Sequence, residues 1–149
     1  MVDIAPGVWQ QTLGQLRKCG RARRECVVYW LGPASLPALV DLAVHPIHFA
    51  TRGYFELDQE WLTGFWVELA ETARSVRVQV HTHEATAFHS SIDDEGAIVH
   101  VPGFLSLVLP GFAQADTCME RAYLAQLDHS GRFVQVPLES ALRFRDGST

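Results

Sequence analysis

Apolar and polar positions alternate along this chain with two different periods. Over 8–18 the apolar residues Val8, Trp9, Leu13 and Leu16 recur at helical spacing, which predicts a first helix. Over 25–31 the chain is instead dense in β-branched and aromatic residues and stops at Gly32-Pro33, so a buried strand ended by a turn is predicted. A second strand is predicted over 39–49, interrupted near Pro46. Proline lacks the donor for a ladder hydrogen bond, so that strand is not central there. Asp58 reads as the N-cap of a helix whose stripe of Trp61, Leu62, Phe65, Trp66 and Leu69 suits burial against a sheet. Residues 75–80 alternate, placing Val76, Val78 and Val80 on one face of a strand that delivers His81. Further strands are predicted over 104–109, 122–127 and 132–136, the last two joined as a hairpin through Asp128-His129-Ser130-Gly131. Helices mixed with partly hairpin-linked strands favour an α+β, α/β/α layered fold over a doubly wound sheet.

Composition narrows the class. A length of 149 residues suits one core, and no repeat, low-complexity tract or linker divides it, so 1–149 is read as one domain. With 48% apolar and 19% charged residues the chain is globular, not disordered. A net charge of −5 argues against a nucleic-acid partner, which asks for a basic patch; the one basic cluster, from Arg17 to Arg24, reads as a solvated helix end. No apolar run approaches the roughly 18–20 residues of a membrane span, and the first ten residues, with Asp3, do not resemble a signal peptide. Cys19, Cys26 and Cys118 are an odd, scattered set without a Cys-x-x-Cys pair. Reduced thiols and a cytoplasmic location are therefore expected, with Cys26 as a small core residue.

The candidate chemistry lies in one run: His81-x-His83, seven residues, Ser91, two residues, Asp94. Residues two apart at a strand end project to the same side, so both imidazoles can converge on one ion. Asp94 adds an oxygen ligand from another element. Three protein ligands leave an open fourth position, the pattern of catalytic zinc. Glu25, just before the apolar run, can act as general base, and the Ser91 hydroxyl as oxyanion donor. Taken alone the same segment reads first as a helix start, with Ser91 as N-cap and acids in the first turn, and the two readings are compatible. Asp93 is the nearest rival ligand. Pairing it with Ser90 keeps the Ser-x-x-Asp spacing but shortens the His-to-Ser gap by one, and ranks second. His89 can line the site. His45 and His48, straddling Pro46, and His100 and His129 look peripheral.

Taken together, these residues resemble the signature of the JAB/MPN (JAMM) metalloproteases. The likeness runs from the glutamate-bearing segment at 24–32, through the helix at 57–73, to Asp94. It implies a curved mixed sheet flanked by helices with Zn2+ at the sheet edge, one ion per chain. His81, His83 and Asp94 would be the ligands, Glu25 the base and Ser91 the oxyanion donor. The implied reaction is hydrolysis of an amide or isopeptide bond after the C-terminal glycine of a ubiquitin-like protein, in maturation or deconjugation. The chain is similar to stand-alone, deubiquitinase-like bacterial members found with ubiquitin-like conjugation and antiviral defence systems. That likeness implies a ubiquitin-like substrate with its E1/E2-like enzymes as partners, and no nucleic acid or membrane. Two departures stand out. Glu84 follows the second histidine where the family often has proline, and Val28 stands where many members have a small residue. Glu84 then sits at the site rim, as a substrate contact or a solvated charge. The alternatives are a JAB hydrolase acting on a sulfur-carrier protein or small peptide, and a non-catalytic MPN scaffold.

Overall fold

Burial on both faces accounts for the unbroken apolar run near residue 28. The computed structural model describes residues 1–145. In chain order the elements are β1 (Val2–Ile4), α1 (Val8–Arg21), β2 (Val27–Pro33), β3 (Leu39–Val40), β4 (Leu42–Val44), β5 (His48–Ala50), β6 (Phe55–Leu57), α2 (Gln59–Glu71), β7 (Arg74–Thr82), α3 (Ser91–Gly96), β8 (Leu105–Leu109), β9 (Tyr123–Leu127), β10 (Phe133–Gln135), α4 (Leu138–Ala141) and β11 (Leu142–Phe144). Six strands form a sheet in the order β10-β9-β8-β7-β2-β4. The β7–β8 pair is parallel and the other pairs are antiparallel, so the sheet is mixed.

Strand β2 is central, and its side chains alternate between two apolar layers. Val28 and Trp30 pack with Val8, Trp9 and Leu16 of α1. Val27, Tyr29 and Leu31 pack with Phe65 and Leu69 of α2. A strand covered on both faces has no polar side, so its sequence reads as a continuous run. Trp30 is fully buried, and its indole N–H donates to Thr12 Oγ1 at 2.7 Å, which satisfies the one polar atom it carries inside. The expected layered α+β architecture is therefore present. Among the described residues no helix is long and apolar enough to cross a membrane.

Local signals place most elements well. Asp58 Oδ1 accepts from Trp61 N at 2.8 Å and starts α2 as expected; Trp66 nonetheless turns outward and is 42% exposed. The hairpin is also present, β9 pairing with β10 through a turn in which Asp128 Oδ1 accepts from Ser130 N and Arg132 N.

Other expectations need correction. The strand expected over 39–49 is three short strands, broken at Asp41 and around Pro46, with β4 on the sheet edge and β5 paired with β6 in a separate ribbon. Val76 does not share a face with Val78 and Val80. The β2–β7 register passes from Trp30↔Val78 to Leu31↔Val76, so Arg77 is an extra residue, and Val76 falls into the α2 layer. Cys19 and Cys26, expected as separate thiols, are joined as a disulfide, while Cys118 is a buried free thiol.

Near both ends of the chain lies a parallel sheet, β11-β1-β3, too short to leave a periodic trace in the sequence. Arg143 and Arg145 both reach the Asp3 carboxylate, and the hydrogen bond from Arg143, followed by that from Arg145, lowers its pKa to about 2. A carboxyl depressed in the folded state stabilises it above the ordinary value of 3.8 and loses that contribution as pH falls towards about 2. Acid titration followed by amide exchange is therefore expected to loosen the β1–β11 pairing first. Unchanged protection of Ile4 and Arg145 N–H across that range would contradict it. The pair is solvent-exposed, so added salt weakens the effect.

Candidate metal centre

Two strands and a short helix bring the polar groups together. Val27 of β2 stands opposite His81 of β7, and just beyond that pair the ladder is closed by Thr82 N donating to Cys26 O at 3.1 Å. His81 shares the face of Val27, beneath the α2 layer, and is fully buried. His83 follows the end of β7. Its N–H donates to Leu109 O and its carbonyl accepts from Phe112 N, both at 2.9 Å, so its backbone is anchored to the β8 side.

The third member is Asp93. Ser90 caps α3 in a reciprocal box: Ser90 Oγ accepts from Asp93 N at 3.1 Å, and Asp93 Oδ2 accepts from Ser90 N at 2.7 Å. The Asp93 carboxylate is thereby aimed at the two imidazoles, Oδ1 lying 3.2 Å from His81 Nε2 and Oδ2 3.2 Å from His83 Nε2. His81, His83 and Asp93 each offer a ligand atom within 4.8 Å of the others.

These residues fit a metal ion, and two observations carry the test. The buried His81 Nε2 makes no hydrogen bond of acceptable geometry, although Asp93 Oδ1 is only 3.2 Å away. Lone pairs converging on a shared point leave such a pattern. Tetrahedral zinc with bonds of about 2.0–2.2 Å also sets its N and O ligands about 3.3 Å apart, which matches the two carboxylate–imidazole separations.

Asp94 does not join this cluster. Its side chain is half exposed and accepts from His89 Nδ1 at 2.6 Å. Successive residues of an α-helix point about 100° apart, so Asp93 and Asp94 cannot both face the imidazoles. Ser91 is likewise displaced: it is the first residue of α3 and exposed, and the N-cap is Ser90. The Ser90–Asp93 pair thus takes the position that the sequence spacing favoured for Ser91 and Asp94. Both pairs read Ser-x-x-Asp, so spacing alone could not choose between them.

Glu25 stands at the opposite wall. Its N–H donates to Thr51 O at 2.7 Å just before β2 begins, and it is only 5% exposed. With Gln79, Tyr54, Phe55, Ile92, Asp93 and Gly96 it lines a cavity of about 40 Å³. Burial pushes its carboxyl up to about 7, with the nearby Asp93 adding to the rise and His83 opposing it. A carboxyl with a pKa near neutrality is suited to taking and returning a proton.

The ligand candidates are tuned differently. Burial lowers the His81 pKa and keeps the ring neutral, the form that binds metal. Burial also disfavours protonated His83, but the adjoining Asp93 outweighs it and raises that pKa. Burial alone would raise Asp93, yet the flanking His81 and His83 hold it below the usual carboxylate range.

The remaining sequence candidates lie around this centre. The His89 ring is 6.1 Å from that of His81 and 4.2 Å from Phe133, so it lines the wall of the site. Glu84 is exposed on the rim, and one of its oxygens meets Arg23 at 3.3 Å. Phe88, which the sequence did not single out, packs its ring 4.6 Å from His83 while remaining half exposed. A lone aromatic in a polar loop left no periodic signal by which to find it.

No family model matches the chain. A protein of Sinorhizobium fredii named as a probable metalloprotease is 32% identical over 127 residues, covering 82% of this chain and 78% of that protein. Among solved structures, a solution structure of a Desulfitobacterium hafniense protein superposes with a TM-score of 0.68 at 11% identity, covering 100% of this chain and 99% of the other. A second, from Salinibacter ruber, gives 0.56 at 17% identity, covering 91% and 89%. At those identities the two solved structures speak for the fold alone. The sequence relative speaks for more, since the identity holds across most of both chains: this protein belongs to the metalloprotease-like family of that Sinorhizobium fredii relative.

Proposed function

We propose that this chain is a zinc-dependent peptidase of the JAB/MPN (JAMM) kind that cleaves the amide or isopeptide bond after the C-terminal glycine of a ubiquitin-like protein. One observation carries the reading: the Asp93 carboxylate spans His81 and His83 at 3.2 Å each, and buried Glu25 shares its cavity. His81, His83 and Asp93 would hold the ion. Zinc bound there supplies Lewis acidity towards water and the scissile carbonyl.

The chain's own groups do the rest. Glu25 accepts the proton of the attacking water and returns it to the leaving amine nitrogen. Ser90 is the oxyanion donor in this reading, in place of Ser91. It shares the Asp93 turn, and its Oγ accepts from Asp93 N, which leaves the hydroxyl proton free to donate. Tyr54 and Ile92 line the cavity and are also exposed, so they offer apolar contact to an incoming tail. His89 and Glu84 stand beside that approach as further substrate contacts. An extended tail would add to a sheet edge through main-chain hydrogen bonds. Partner conjugation enzymes of the E1/E2-like kind and a role in bacterial antiviral defence follow from the same family likeness, and the cytoplasmic setting proposed with them requires the Cys19–Cys26 pair to be reduced there.

The test is cleavage. Ubiquitin-like proteins fused to a reporter after their terminal glycine are incubated with zinc-loaded wild type, Glu25→Gln and a chelated sample, and intact masses are followed. A cut at that glycine, lost in both controls, is expected. Cleavage of short peptides or sulfur-carrier tails alone would move the substrate class, and a cut that survives in Glu25→Gln would sink the mechanism.

A further inference from the structure

A second set of metal-binding side chains lies on the other side of the β2 entry. Cys19, Cys26, His45 and His48 each bring one donor atom within 4.8 Å of the other three. They come from three separate segments: the C-terminal part of α1, the residue before β2, and the stretch from the end of β4 to the first residue of β5. Their orientation is the second observation. His45 Nδ1 lies 3.0 Å from Val27 O and His48 Nδ1 3.2 Å from Pro46 O. A carbonyl only accepts, so each Nδ1 donates in these contacts and each Nε2 keeps its lone pair; His45 Nδ1 also lies 3.9 Å from Cys26 Sγ, so ligation through its Nε2 asks for a turn of that ring. Metal-binding histidines are commonly held in this way, the second nitrogen donating to a backbone carbonyl. The two rings stand 5.0 Å apart at 86°, edge to face, so they are neighbours without being stacked.

We propose that, in the reduced protein, Cys19, Cys26, His45 and His48 form a closed Cys2His2 site for a divalent thiolate-binding cation such as zinc, separate from the His81–His83–Asp93 centre. Two thiolates and two imidazoles satisfy the four positions of tetrahedral zinc and leave none open, which is the structural type of site. Ligand atoms around such an ion lie about 3.3–3.8 Å apart, within small side-chain rotations of the observed set. The Cys19 and Cys26 Cα atoms, 5.8 Å apart, accommodate both states, a disulfide and a pair of thiolates sharing an ion.

The two states exclude each other, because a sulfur bonded to its partner is not a thiolate. A phosphine reductant takes the oxygen of one water and becomes its oxide, and the two electrons and two protons released convert the disulfide into two thiols. Binding of the cation then displaces both thiol protons. The bound ion clamps α1, the start of β2 and the β4–β5 segment together, one residue from Glu25.

Cobalt reports on this directly, since only a sulfur-ligated ion gives thiolate-to-cobalt charge-transfer absorption. Metal-free protein is reduced anaerobically with a water-soluble phosphine and titrated with cobalt. The expected result is two ions per chain, one of them carrying that absorption. Cys19→Ser and His48→Ala are each expected to lose the absorption and one ion. His83→Ala is expected to lose the other ion and keep the absorption, so the two centres are read independently. Oxidising the loaded protein should release the sulfur-bound ion and consume two titratable thiols. Reduced wild type without charge-transfer absorption overturns the proposal. So does absorption that survives unchanged in folded His48→Ala, a half-buried position outside both apolar core clusters.

Discussion

Asp93→Asn is expected to weaken metal binding by more than about 100-fold while Asp94→Asn changes it by less than about tenfold. The first figure is a lower bound, because loss of a side chain that merely supports a ligand already costs about 10–100-fold in affinity. Asparagine keeps the shape and the oxygen that accepts from Ser90 N, so α3 should retain its start. What it loses is the negative charge shared by His81 and His83. The Asp94 carboxylate accepts from His89, whose ring lines the wall, so its removal acts through that ring. Titration of metal-free protein with zinc against a competing chelator measures both. Equal losses in the two variants would mean that Asp94 also reaches the ion, and an unchanged Asp93→Asn would dismantle the site.

Glu25→Gln should do the reverse, keeping the ion and losing turnover. General acid–base catalysis contributes about 10²–10⁴-fold, and glutamine is close to isosteric but cannot take a proton. Glu25 is not one of the clustered ligand atoms, so metal content should stay at the wild-type value. The fall is expected in kcat with KM little changed, because the proton moves only on the way to the transition state. The acidic limb of the pH–rate profile should vanish as well. With no metal bound, burial sets that carboxyl at about 7. A bound cation favours the carboxylate, so in the loaded enzyme the limb should fall below that value. Metal loss in Glu25→Gln would reassign Glu25 as a ligand.

Particular residues show where sequence reasoning stopped. His81 and His83 were legible because strand alternation from Ser75 onward puts residues two apart on one side. Their neighbour Val76 shows the weakness of the same rule, since one extra residue at Arg77 reverses the face before it. The ligand carboxylate was legible as a type but not as a position. Ser90–Asp93 and Ser91–Asp94 have the same spacing, and the cap bond that selects the first depends on where the preceding loop delivers the backbone. Glu25 was found as a residue, but its value as a base comes from burial, which the sequence does not display. The cysteines were read as one scattered set and His45 and His48 as a peripheral pair, because 19 residues of chain separate even Cys26 from His45 and nothing local signals that the two groups pack together.

The amino-acid sequence by itself determined the elements whose signals are local: α1, the core of β2, the Asp58 cap of α2, β7 and the β9–β10 hairpin. It also determined the chemical kind of the site, two imidazoles and a carboxylate with a glutamate nearby. Period, capping and turn chemistry act over a few residues, so they can be read in order along the chain. Only the tertiary structure decided which aspartate faces the imidazoles, that Glu25 is walled from water, that β1 pairs with β11, and that two cysteines meet two histidines. Those outcomes depend on how elements rotate and pack against one another, and a rotation of about 100° within one turn of α3 is enough to exchange one carboxylate for the next.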